Sequence, residues 1–104
     1  MSEQNSVAAV QSSLIELREL LQRHVRELER SYPERHTREW FFLRYVKRVH
    51  KRAHDDDTPR ACLSAMRGLT RYYVDSIDED SELGKRFEEI LECHRYALRT
   101  ERRG

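Results

Sequence analysis

The chain is poor in the residues that interrupt helices, with three glycines and two prolines among 104 residues. β-Branched residues are sparse as well. Sheet folds need turn-forming residues at short intervals, so a sandwich or barrel is excluded. No glycine-rich loop is present to cradle a phosphate. Two cysteines are too few for a disulfide framework. Cys62 and Cys93 each fall on an apolar helical face and read as reduced, buried thiols, with a disulfide between them as the lesser alternative. Apolar runs stop at four residues, far short of a membrane span. The polar stretch Met1–Ser6 has no apolar segment behind it, which predicts a cytoplasmic location.

What remains is rich in Leu, Arg, Glu and Ala. Apolar and charged residues each make up 38% of the chain. That composition predicts an all-α protein, a small four-helix bundle forming one domain over residues 1–104, with frayed ends at the first few residues and at 100–104. The apolar surplus is slight, so an oligomer or a partner is expected to complete burial.

A net charge of +1 conceals segregation. The local charges are −1 over residues 1–30, +5 over 31–54, −6 over 55–92 and +3 over 93–104. A basic region abuts an acidic one, and the simplest consequence is mutual neutralisation within the fold or across a dimer.

In the first helix Val7, Val10, Leu14, Leu17, Leu21, His24 and Leu28 recur at spacings of three and four. This is an a/d seam of about three heptads. Ile15, Leu20 and Val25 widen it, and Ser6 or Ser12 could cap its start. The seam residues Leu14, Leu17, Leu21, His24 and Leu28 are the expected self-association surface of a homodimer, because two short helices would not easily cover so long a stripe.

Tyr32-Pro33 ends that pattern. Ser31 and Glu34 have capping-box spacing, and Thr37 offers a start for a second helix over about 37–54. Thr58-Pro59 opens a third helix over about 59–76, with Cys62, Met66, Leu69 and Tyr73 on its seam. Gly68 inside it suits either close helix packing or a tolerated surface position. Ser81 caps a fourth helix to about 100, with Leu83, Phe87, Ile90, His94 and Leu98 inward.

The second helix is the most informative. Trp40-Phe41-Phe42-Leu43 places four bulky residues in succession, and side chains about 100° apart cannot share one face. A helical wheel gives a core face of Phe42, Val46, Val49 and Ala53, with Phe41 and Tyr45 adjoining. Trp40 and Leu43 are expected to point outward among Arg44, Lys47, His50 and Lys51. Large apolar anchors in a charged frame have the composition of an interface hot spot. Trp40, Leu43, Arg44, Lys47 and His50 are therefore the candidate partner-binding residues. The competing expectation is that Trp40 staples onto the Tyr32-Pro33 turn.

The same helix invites a nucleic-acid reading through Arg44, Lys47, Arg48, Lys51 and Arg52. It lacks an asparagine to read adenine and a basic N-terminal arm, and the acidic half would oppose DNA. Direct nucleic-acid binding is the alternative rather than the expectation. His50 and His54 are four apart, yet spacing fixes no third ligand, so no metal or other cofactor is expected. His24 and His94 sit in apolar seams, which suits satisfied core histidines better than exposed phosphotransfer groups. No catalytic motif or nucleophile setting is recognisable, and the chain is expected not to be an enzyme.

Trp40 to His54, preceded by a heptad helix and followed by two shorter helices, resembles the QslA-type bacterial quorum-sensing antiactivators, which are specific for LasR. The resemblance lies in size, helical order and the segment Arg38-Glu-Trp-Phe-Phe-Leu-Arg-Tyr-Val46. It covers nearly the whole chain. It implies an α-helical dimer that binds a LuxR-type transcription factor, blocks its dimerisation and so regulates transcription. It transfers no site residue.

Overall fold

A computed structural model describes the backbone of residues 2–103 and the side chains of residues 11–101. Four helices follow one another: α1 (Ser2–Arg30), α2 (Arg38–Asp55), α3 (Leu63–Ser76) and α4 (Glu82–Arg103), with a short 3-10 turn, Pro59–Cys62, leading into α3. Among the described residues there is no strand, and no helix is long and apolar enough to cross a membrane. The all-α bundle expected from composition is the observed architecture.

Each neighbouring pair runs antiparallel. Lys47 of α2 reaches Glu29 near the end of α1, while Arg18 of α1 reaches the carbonyl of Ala53 at the other end of α2. Tyr72 lies by Arg38 and Cys62 by Val49. Tyr73 stacks on Phe87 and His94 bonds Pro59. Ser13 meets Thr100, and His24 meets Glu89. The result is an up-down-up-down bundle, as short connections dictate.

Local chemistry explains the boundaries. Thr37 caps α2, its Oγ1 accepting from the Trp40 amide at 3.3 Å and donating to the Glu34 carbonyl at 2.6 Å. Ser81 caps α4 by accepting from the Gly84 amide at 3.1 Å. The Ser31–Glu34 capping box does not form. Ser31 donates back to the Leu28 carbonyl, and Tyr32 takes a positive φ of 47° that turns the chain out of α1. Pro59 opens the short turn rather than α3 itself. Ser6 and Ser12 fall inside α1, which already begins at Ser2, and α4 continues to Arg103. The Val7 and Val10 seam positions and the expected fraying at Met1 and Gly104 lie outside the described side chains or residues.

The core is one cluster contributed by all four helices. Leu17, Leu21, Phe42, Val46, Val49, Leu69 and Ile90 are fully buried. The α1 seam corrects one expectation. Leu14, Leu17, Leu21, His24 and Leu28 are all buried within the single chain. The reason is length: α4 spans 22 residues, and together with α2 it covers the stripe that a shorter pair would have left open. Self-association through this seam would require opening the core.

Gly68 faces the Tyr45 ring, and a Cβ there would meet ring carbons at 3.6 Å, an ordinary contact. Gly84 is different. A Cβ there would come within 2.5 Å of the Asp78 carbonyl, so the turn into α4 requires glycine.

Candidate functional site

Helix α2 lies between α1 and α3, and its buried arc is correspondingly wide. Phe42, Val46, Val49 and Ala53 are wholly inside. Leu43 is inside too, at 7% exposure, contrary to the outward position expected of it. The Lys47–Glu29 ion pair, 3.0 Å, marks the side of α2 that faces α1, and Leu43 sits one turn earlier on that side. A wheel drawn for one packing partner misplaces a residue that meets a second. Leu43 is a core residue, not a partner-binding one.

Trp40 remains partly exposed at the start of α2. Tyr32 is 88% exposed, and the packing partner of Trp40 is instead His36, with ring centroids 5.1 Å apart and planes at 73°. His36 has a positive φ of 69° and sits just before the Thr37 cap, where it also approaches Phe41 at 5.9 Å. His36 and Phe41 occupy the positions of a hydrophobic staple. The chain entry is thus held by His36, an exposed ring that packs on the half-buried Trp40 and Phe41.

From there an aromatic series continues across to α3. Trp40 meets Phe41 edge-on at 4.9 Å, Phe41 meets Tyr72 at 6.0 Å, and Tyr72 stacks on Tyr45 at 5.1 Å. Two guanidinium groups lie over its ends. Arg44 sits 4.8 Å from the Trp40 ring centre, and Arg48 sits 5.2 Å from that of Tyr45. Such contacts hold each arginine by its flat face and leave its edge N–H groups pointing outward. Burial pushes the Tyr72 hydroxyl above its usual pKa, so it stays a neutral donor, 3.4 Å from the Arg38 carbonyl.

The cations here differ from those elsewhere. Among the described residues, Arg44, Arg48, Lys51 and Arg52 make no ion pair, whereas Lys47 is held by Glu29. His50 is half-buried, its Nε2 has no hydrogen-bond partner, and its ring meets His54 edge-on at 4.4 Å. Burial first, and the neighbouring His54 second, lower its pKa. No cluster of three or more potential metal ligands occurs among the described residues.

Of the candidate partner-binding residues, the fold therefore brings Trp40 and Arg44 together on one face. Lys47 and His50 lie on the α1 side, and Leu43 lies beneath. His36, Phe41, Tyr45, Arg48 and Tyr72 join this face without being among the partner-binding residues expected from sequence. The Trp40/Arg44 spacing of four and the Tyr45/Arg48 spacing of three were legible stacking signals. The arrival of Tyr72 from α3 was not.

The chain's buried histidines are accounted for internally. His24, 2% exposed, places Nε2 2.6 Å from Glu89 and Nδ1 2.8 Å from Arg86. A guanidinium can only donate, so Nδ1 accepts, Nε2 carries the proton and the ring is neutral. His94 donates from Nε2 to the Pro59 carbonyl at 2.9 Å. Burial is the leading cause of the lowered pKa of both rings. Cys62, whose pKa burial raises to about 11, and Cys93 are free thiols.

No protein-family model matches this chain, and neither a curated protein nor a solved structure matches it.

Proposed function

We propose that the chain is a protein-binding regulator that uses the Trp40–Arg44–Tyr45–Arg48 face to occupy a surface of another protein. The observation that carries this reading is the pair of arginines stacked on partly exposed aromatics, with no ion pair among the described residues. An aromatic anchor supplies desolvation, and a pre-oriented guanidinium supplies bidentate recognition of a partner carboxylate. The partner surface that fits is apolar with acidic groups at its margin. On the resemblance to antiactivators, that partner is a LuxR-type quorum-sensing transcription factor, and occupation of its surface blocks dimerisation and hence promoter binding. A homodimer of this chain, which the same resemblance implies, would use a surface other than the buried Leu14–Leu28 stripe.

A promoter mobility shift with a LuxR-type factor tests this. Added wild-type chain should release the DNA, and Trp40→Ala should not. Failure of the wild-type chain to release DNA would refute the assignment of partner.

The second reading, a basic helix for nucleic acid, is favoured by Arg48, Lys51 and Arg52, which form no ion pair among the described residues. It requires the chain alone to shift DNA or RNA at low salt, with affinity falling steeply as salt rises. Absence of such a shift eliminates it.

A further inference from the structure

About half a turn round α3 from the residues that meet α2, a second surface opens between α3 and α4. The helices are joined at one end by the Tyr73–Phe87 stack, 4.1 Å between centroids, and at the other by the His94–Pro59 hydrogen bond. Between them lies a groove of about 540 Å³. Met66 forms its floor, with Leu63, Leu91 and Leu98 half-buried along its walls. Val74 stands at its rim with 71% of its surface exposed.

Its charge is one-sided. Arg67, Arg71 and Arg95 line the rim against a single carboxylate, Asp75. Among the described residues Arg67 and Arg71 form no ion pair, and Arg95 reaches only Glu92 on its own helix, at 4.0 Å. Leu63, Met66, Thr70 and Val74 follow one stripe of α3 over roughly 16 Å, about three helical turns.

The geometry points to this groove as a docking site for an acidic amphipathic helix of a partner protein, separate from the Trp40 face. Apolar side chains of that helix at i, i+3 and i+7 fill the channel between α3 and α4. Its flanking carboxylates meet Arg67, Arg71 and Arg95. The methionine floor adapts to the shape of what enters. A second copy of the chain is a poor occupant, because two arginine-rimmed grooves brought together repel.

The probe is an alanine-based helical peptide of roughly 18 residues, long enough to hold its helix in water. It carries leucine at i, i+3, i+7 and i+10, glutamate on both flanks and a fluorescent label. A matched peptide has lysine for every glutamate. Fluorescence anisotropy should show binding of the acidic peptide and not of the basic one. Val74→Asp and Arg71→Glu should each weaken it by about tenfold or more. Both positions are exposed, so circular dichroism melts should be unchanged. Trp40→Ala and Arg44→Ala should leave peptide binding intact, which separates this site from the α2 face. Equal binding of the two peptides, no binding of either, or loss on Arg44→Ala rather than Val74→Asp would overturn the proposal. So would sedimentation showing a wild-type dimer that Val74→Asp splits, since the occupant would then be a second copy.

Discussion

The contact between α1 and α4 and the outer face of α2 use similar residues for opposite ends. In the first, Arg86 donates to His24, Glu27 and Glu82, while Arg23 and His24 share Glu89. Nearly every charge is answered by another, and a neutral histidine sits in the middle with both nitrogens used. On α2 Arg44 and Arg48 lie on aromatic rings and, among the described residues, form no ion pair. Paired charges fix one helix against another. Unpaired charges, oriented by stacking, are available to something else. At the α3–α4 groove Arg67 and Arg71 likewise form no ion pair among the described residues, while Arg95 reaches only Glu92 of its own helix.

The largest effect expected from breaking this division is at Leu43. Leu43→Glu buries a carboxylate where only apolar atoms belong and should cost about 4 kcal/mol or more. Chemical denaturation would register it, and a melt like wild type would return Leu43 to the surface. Arg86→Met comes next. It removes the centre of the α1–α4 network and leaves Glu27, Glu82 and His24 without their shared donor. A loss of about 2 kcal/mol is expected, moderated by the solvent exposure of the two glutamates. Arg44→Ala, an equal loss of charge on the α2 face, should change stability by no more than about 0.5 kcal/mol.

Acid sharpens the comparison further. The His24 and His94 rings have pKa values below the ordinary 6.5, so the unfolded chain takes up protons first as pH falls. Stability should be full above pH 6.5 and decline below it, until the folded-state pKa values are passed. His24→Gln retains a donor for Glu89 and an acceptor for Arg86 without titrating, and should flatten part of that decline in denaturation curves taken across pH. An unchanged slope would mean that His24 is protonated in the fold. A small gain, rather than a loss, is expected at Gly68. Alanine there meets the Tyr45 ring at ordinary distance, so Gly68→Ala should stabilise α3 by about 0.5 to 1 kcal/mol in a thermal melt.

These contrasts also show what the sequence could reveal. The helices and the core stripe of α2 were legible because Phe42, Val46, Val49 and Ala53 repeat with helical period. His24 and His94 were correctly placed in buried seams. Leu43 was misplaced because periodicity identifies one buried face, and α2 has two flanking helices. The α1 stripe read as a dimer surface because the reach of α4 along it depends on tertiary packing. The aromatic series needed Tyr72 from α3 and the positive φ of His36, neither of which leaves a local signal. The α3–α4 groove was invisible for the same reason, since Val74 and Leu91 come to line one groove only in the fold.

The central claim is that the outer face of α2 binds and does not merely pack. Its most direct test is calorimetric titration of the chain into a purified LuxR-type quorum-sensing regulator, with thermal melts of the same samples. For Trp40→Ala the account predicts a loss of affinity of about tenfold or more, with stability reduced by no more than about 1 kcal/mol. Unchanged affinity, or a collapse of the melt alongside the loss of binding, would contradict it.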